Sequence, residues 1–319
     1  MVLKRRLLIG ITSVLTMAAC TPRIDNSFNA NNKDTNHIVG GTLVKSSDAV
    51  AKSIVGLYVK NLQTGSIETC TGSLLTNNMV VTAAHCASDL DGKVDIFVIF
   101  TTTVEDSKFA KKDVRKVDLK AVVKTWGTKL KPDDVNTGDV ALLHYKGSTP
   151  SGYVSAVLAY DDSYLTQGDE LVVAGYGATK VIKTPIDVNI YPDLIGKLQE
   201  GTVACENNIE LKNCYEISME GNGQLRKTTV TIADPIYSLS EISVNQDRGT
   251  GFCHGDSGGP AYVMRGNRYY LVGILSRTIN DPFSECTHQA VFTSVPYYLR
   301  WLNQAGEMLL AEVQKNSKK

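Results

Sequence analysis

The chain has 319 residues, 43% of them hydrophobic, enough for one large packed domain or two modest ones. Lysine plus arginine equals aspartate plus glutamate at 33 each, which excludes the charge imbalance of a nucleic-acid-binding surface. The basic end, with Lys315, Lys318 and Lys319, reads as a solvated tail.

In chain order, Lys4, Arg5 and Arg6 precede an apolar run over residues 7–17, and small Ala18 and Ala19 precede Cys20. Residues 1–19 therefore read as an export signal whose apolar centre is shorter than a membrane span requires. Met17-Ala18-Ala19-Cys20 resembles a bacterial lipobox, which implies lipidation of Cys20; a plain secretory signal is the alternative. Thr21 after the cysteine implies, by the same resemblance, an outer-membrane or cell-surface destination for the precursor. Residues 20–37 are polar and rich in Asn, with no sustained period, and read as a tether or propeptide.

From residue 38 onward come short runs rich in Val, Ile, Leu and Tyr, broken by Gly, Asn and Asp. Residues 53–59, 79–82, 94–100, 170–174 and 269–274 are examples. Many short strands separated by turn residues predict an all-β barrel or sandwich. The end of the chain differs. Over residues 295–313, Leu299, Leu302, Met308 and Leu309 fall near helical spacing behind Pro296, which predicts a terminal helix packed on a barrel. A membrane-surface helix is the alternative, and its polar side is not strongly basic.

Three segments carry chemistry: Thr82-Ala83-Ala84-His85-Cys86, Asp139-Val140-Ala141-Leu142-Leu143 and Gly255-Asp256-Ser257-Gly258-Gly259-Pro260. The order His, Asp, Ser is one of three known for a serine nucleophile activated by an oriented histidine. Glycines flank the serine where the backbone must turn tightly and admit a substrate carbonyl. At these segments the sequence resembles the chymotrypsin/trypsin family of serine endopeptidases, over roughly residues 38–302; with the lipobox, it resembles a bacterial secreted or lipoprotein member.

The resemblance implies two six-stranded antiparallel β-barrels with a C-terminal helix and a site in the cleft between the barrels. The first barrel is expected over residues 38–155, the second over 156–294, and the helix with its basic tail over 295–319. The connection falls between about 145 and 165, where Gly147, Pro150, Ser151 and Gly152 cluster. Gly175-Tyr176-Gly177 resembles the family's Gly-Trp-Gly segment, with Tyr for Trp. Residues 178–249 are longer than the family needs and are expected to carry inserted hairpins or loops that shape access.

By the same resemblance, Ser257 is the nucleophile, His85 the general base and Asp139 the carboxylate that orients the histidine. The N–H groups of Gly255 and Ser257 form the oxyanion hole, and Ser276 supports the aspartate. Ile38-Val39-Gly40-Gly41 resembles the new N-terminus of an activated member, so cleavage after His37 by an unknown protease would free an ammonium at Ile38 to pair with Asp256. A lipid at Cys20 would then remain on the propeptide, leaving a secreted or periplasmic catalytic part. Counting back from Ser257, Gly251 stands where trypsin-like members place a pocket-floor aspartate, so no carboxylate is supplied there for Lys or Arg. Arg277, Thr278 and Ala290 replace an aromatic residue and two glycines of the pocket, which favours small or medium uncharged side chains. Arg277 and His254 either attract acidic residues or face solvent.

Seven cysteines leave six once Cys20 is set aside, enough for three bridges in an oxidising compartment. The resemblance implies Cys70–Cys86 and Cys253–Cys286; elimination leaves Cys205–Cys214. No metal cluster, calcium loop or phosphate-binding glycine motif stands out, so no cofactor or metal is expected. The expected partners are polypeptide substrates of a monomer. A catalytically silent binding or adhesion protein and an esterase on the same fold are the alternatives.

Overall fold

The structure, a computed structural model, describes residue 38 and residues 41–87, 93–104, 110–126, 138–199, 202–207, 209–246, 249–279, 286 and 288–318. The leader, Cys20 and His37 lie outside the described residues. A two-residue strand, β1 (Thr42–Leu43), and a 3-10 turn over Ala49–Ser53 lead into β2 (Ile54–Asn61), β3 (Ile67–Leu75), β4 (Met79–Thr82), β5 (Val94–Ile99), β6 (Val114–Val122) and β7 (Ala141–Tyr145). These six strands close in the order β2-β3-β4-β7-β6-β5, the seam being the antiparallel β2–β5 pairing. Every residue of β4 and β7 is buried, which explains their unbroken apolar runs. One face fills the barrel and the other is covered by neighbouring elements, α2 (Val295–Asn316) among them for β7.

The second barrel uses β8 (Glu170–Gly175), β12 (Arg226–Ser238), β13 (Glu241–Asn245), β14 (Pro260–Arg265), β15 (Arg268–Ile279) and β16 (Gln289–Ser294). Its order is β12-β13-β16-β15-β14-β8, closed by β8 against β12. Both expected six-stranded antiparallel barrels and the C-terminal helix are therefore present.

Between β8 and β12 stand β9 (Lys180–Pro185), the short helix α1 (Leu194–Gln199), β10 (Val203–Asn207) and β11 (Lys212–Glu220). They form a separate three-stranded sheet in which Cys205 and Cys214 are register partners joined by a disulfide. The inserted part of residues 178–249 is thus this sheet alone, because β12 and β13 are barrel strands. One more strand departs from chain order: β1 precedes the first barrel yet pairs with β12 of the second, Leu43 opposite Arg226.

The terminal helix α2 begins at Ser294, whose hydroxyl accepts the Tyr297 N–H at 3.4 Å, with Pro296 in the first turn. Val295, Tyr298, Leu302, Ala305 and Leu309 form its buried stripe at alternating three- and four-residue steps. Met308, expected on that stripe, is 64% exposed, since it precedes Leu309 by one residue and so lies about 100° around the helix from it. Among the described residues no helix is long and apolar enough to cross a membrane.

Each barrel has its own apolar interior. Leu57, Val81, Leu142 and Tyr145 lie in the first, and α2 seals that cluster with Leu302 and Leu309. Phe252, Phe292, Val244 and Val272 lie in the second. Phe292 is fully buried, meets Phe252 edge-on at 5.0 Å between centroids and lies over Gly273. Phe292→Ala should destabilise the protein by about 3–5 kcal/mol, read as a lower denaturant midpoint at unchanged slope.

Candidate active site

The cleft between the barrels is built by polar contacts that cross it. In β3, the Thr71 N–H donates to the Ser257 carbonyl at 2.8 Å, and the Thr71 hydroxyl donates to the Gly255 carbonyl at 3.1 Å. The turn carrying Ser257 is thereby bound to the first barrel although its strands belong to the second. Gly258 sits at φ +78°, and a Cβ there would overlap the Thr82 hydroxyl and lie 2.5 Å from the Thr71 carbonyl. Only glycine lets the two barrels approach this closely behind the serine. Gly255, at φ +96°, makes the left-handed turn before Asp256.

On the first barrel, the loop after β4 carries His85 and the residues before β7 carry Asp139. The Asp139 side chain is 2% exposed and accepts three hydrogen bonds: His85 N–H at 3.0 Å, His85 Nδ1 at 2.8 Å and the Ser276 hydroxyl at 2.7 Å. A carboxylate only accepts, so Nδ1 carries the proton and Nε2 is left as the basic nitrogen. The Asp139 carbonyl also accepts from the Thr293 hydroxyl at 2.9 Å, so strands of both barrels fix this residue. Trp126 stands beside the His85 ring, 6.3 Å between centroids.

Ser276 reaches Asp139 because β15 slips register against β16 between Leu275 and Arg277. A bulge of this kind re-aims one side chain without ending the strand. Its neighbour Arg277 turns to Glu241 at the start of β13, donating to both carboxylate oxygens at 2.7 and 3.2 Å. Glu241 is buried, so the guanidinium is matched from within. This pair holds Arg277 in the wall of the cleft with its side chain 29% exposed.

Two pockets meet at Ser257 and His254. One, of about 220 Å³, is lined by Phe252, Cys253, His254, Ser257, Leu275, Ser276, Arg277, Thr278 and Cys286. The other, of about 390 Å³, brings in His85, Glu68, Thr69, Gly255 and, from β11 and the turn after it, Met219 and Asn222. Gly251 and Ala290 do not line the smaller pocket. Gly251 packs on Gln246, whose side-chain oxygen accepts the Phe252 N–H at 2.5 Å, and Ala290 is buried in β16 opposite Thr278. Among the described residues, nothing accepts a hydrogen bond from the N–H of Gly255 or Ser257. Disulfides Cys70–Cys86 and Cys253–Cys286 flank the two pockets. Sulfur atoms of Cys70 and Cys86 lie near the His85 ring, but they are bonded to each other and offer no thiolate to a metal.

Sequence reasoning missed Glu241, Met219, Thr71 and Thr293. Each is an ordinary strand residue, and only the barrel register brings it to the cleft.

Asp256 is fully buried, accepting the N–H groups of Gly177 at 2.7 Å and Cys253 at 2.9 Å. Burial pushes its carboxyl from the usual 3.8 up to about 7, opposed by those two hydrogen bonds and by the Arg226 charge. Ile38 is also fully buried.

Burial lowers the His85 pKa, but the Asp139 hydrogen bond and charge, with Glu68 beyond, outweigh it and leave the value raised above 6.5. The stability this group contributes is complete below the unfolded value of about 6.5 and is lost as pH rises through the folded one. Asp139→Asn should bring the His85 titration below 6.5, because burial then meets little opposition, and should remove that fall in stability. NMR titration of the ring proton and unfolding at several pH values read both effects.

The family model for trypsin matches residues 38–302. Curated relatives include chymotrypsin-like elastase family member 1 of Rattus norvegicus, 27% identical over 245 residues, spanning 74% of this chain and 77% of the relative. The Homo sapiens protein of the same name is 26% identical over 242 residues, spanning 74% of this chain and 80% of the relative. The Bos taurus protein is 25% identical over 277 residues, spanning 84% and 89%. The solved structure of HL collagenase shares the fold, with a TM-score of 0.56 at 18% identity over 83% of this chain and 97% of that one. These curated relatives are vertebrate, so the expected bacterial secreted or lipoprotein membership is corrected, and lipidation of Cys20 is not carried forward. With 265 contiguous residues matched to one family model, the chain belongs to the trypsin family of serine proteases and is related to vertebrate elastase-like enzymes.

Proposed function

We propose that the protein is an exported serine endopeptidase that cleaves after small or medium uncharged residues. The observation that carries this reading is the run of hydrogen bonds from Ser276 through Asp139 to His85, in a cleft that also holds Ser257 and two uncommitted N–H groups. The Ser257 hydroxyl attacks the substrate carbonyl while His85 Nε2 takes its proton. The resulting oxyanion is received by the N–H groups of Gly255 and Ser257, which meet that charge only as it develops. His85 then protonates the leaving amine, and water enters by the same proton transfers in reverse to release the acyl group.

The small pocket supports the substrate preference. Among the described residues no acidic side chain lines it, Arg277 is paired with Glu241, and Phe252 and Leu275 supply apolar walls. A polypeptide substrate is carried over from relatives named elastases. Three disulfides fit an oxidising compartment and hence export. A fluorophosphonate probe should label the wild type and not Ser257→Ala, and peptide turnover should fall about a millionfold in that variant. Profiling a peptide library should return neutral residues before the cut; a strong Lys or Arg preference would refute the pocket assignment.

The same reading includes activation by cleavage between His37 and Ile38. Its support is the energetic position of Asp256, a buried carboxyl with no cation bonded to it among the described residues. An ammonium at Ile38 would stabilise the ionised form and fix the turn of Gly255 and Ser257; such a pair is costly to assemble and more costly to break. In the uncleaved chain the raised value means that the stability from protonated Asp256 is complete below about pH 4 and is lost as pH rises through about 7. After cleavage before Ile38 this fall should vanish, as measured by unfolding of both forms across that range, with N-terminal sequencing to identify them.

A further inference from the structure

Arg277 occupies the pocket wall beside Ser257, where an unopposed guanidinium would select acidic side chains. It is held instead by Glu241, 1% exposed, through both carboxylate oxygens. Glu241 is itself fixed by the Ser238 hydroxyl at 3.2 Å and by its place in β13 opposite Thr293, the residue that anchors the Asp139 carbonyl. Arg277 Nη1 also lies 3.5 Å from the Ser276 hydroxyl, the donor to Asp139. The pair thus sits at the junction of the substrate wall and the supports of the histidine.

We propose that Glu241, a residue with no contact to the pocket, determines its charge preference: it cancels the Arg277 charge and so keeps the pocket selective for uncharged side chains. The inference rests on the proteolytic reading given above. The physics is that of a close ion pair against a single charge. At a contact of 2.7 Å the carboxylate converts the field of the guanidinium into that of a short dipole, which falls off faster across the pocket than an isolated charge. Arg277 is 29% exposed on its side chain and Glu241 almost wholly hidden, so a substrate meets the cation first and the counter-charge only through its field. Deleting the carboxylate leaves the cation in the wall; deleting the cation leaves a buried negative charge behind it. The two losses therefore push selectivity in opposite directions, and Glu241 acts as a positioning and neutralising residue, not a catalytic one.

The test uses the activated enzyme and two fluorogenic peptides that differ only in Gln or Glu immediately before the cut. The readout is the ratio of kcat/KM for the Glu peptide to that for the Gln peptide, which does not depend on how much enzyme is correctly folded. Glu241→Gln should raise the ratio about tenfold, Arg277→Gln should lower it several-fold, and the double variant should return near the wild-type ratio. Glu241→Asp, which keeps the charge, should stay close to wild type. If Glu241→Gln does not fold, the wild-type ratio decides: a ratio near one supports the cancelled charge, and a strong wild-type preference for the Glu peptide, lost in Arg277→Gln, would overturn it. Equal ratios in wild type and both single variants would overturn the neutralising role while leaving the protease intact. A wild type inert toward every peptide would overturn the proteolytic reading and this inference together.

Discussion

The buried carboxylate of Asp139 is the constraint around which the cleft is arranged. A nearly inaccessible anion must have its lone pairs satisfied, and three donors from two separate segments do so. Each donor is held there by the need of the others: His85 is bound through both its main chain and its ring, and Ser276 is delivered by a strand irregularity. The apolar cluster of the first barrel continues into the second through Ala174, Tyr262, Leu271 and Ile274, which presses the barrels together without fixing angles between them. Register across the cleft comes from directional contacts, Asp139 with Ser276 and Thr293 on one side and Thr71 with the Ser257 turn on the other. Hydrophobic burial is non-directional; these hydrogen bonds supply the angles.

A second buried carboxyl shows that environment, not residue type, assigns the task. Asp139 is bonded to a histidine that can carry charge, and its carboxylate favours the charged form of that ring. Among the described residues Asp256 has two main-chain donors and a more distant guanidinium, and desolvation prevails, raising it to about 7. Gly175 and Gly177 are close enough that a Cβ at either would strike that carboxyl, so its enclosure is written into the glycines of the adjoining segment. Among the described residues no cation is bonded to this carboxyl, and the activation proposed above rests on that asymmetry between Asp256 and Asp139.

Local signals carried much of the architecture. Runs such as residues 94–100 and 170–174 became β5 and β8 because β-branched and aliphatic residues between turn formers need a sheet to bury them. The motifs around His85, Asp139 and Ser257 were visible because tight turns and an enclosed carboxylate demand particular residues at fixed spacing. Long-range pairing was not visible. The sheet over 180–220 could not be separated from β12 and β13, since exposed polar strands and barrel strands differ in partner rather than in local pattern. Leu43 opposite Arg226, and Glu241 beneath Arg277, depend on registers between residues far apart in the chain. A lone glutamate in a strand reads as a solvent-facing charge until a guanidinium is placed over it.

The proposed neutralisation of the pocket wall would have a consequence for selectivity. An uncharged pocket of about 220 Å³ discriminates by shape and apolar contact, and one methylene in such a pocket is worth only about 1–3 kcal/mol. Sharper choice among polypeptides has to come from contacts beyond the residue before the cut. The larger pocket offers them, with Glu68 and Ile67 from β3 on one side and Met219 from the inserted sheet on the other. Met219 stands near the end of β11, in register with Val181 of β9, and the Cys205–Cys214 bridge ties β11 to β10. A flexible thioether on a stapled sheet gives an adaptable surface on a fixed support. On the proposed reading, selection would be divided: the barrels would fix the reacting groups, the neutral pocket would admit a broad class of side chains, and the inserted sheet would narrow that class through the larger pocket.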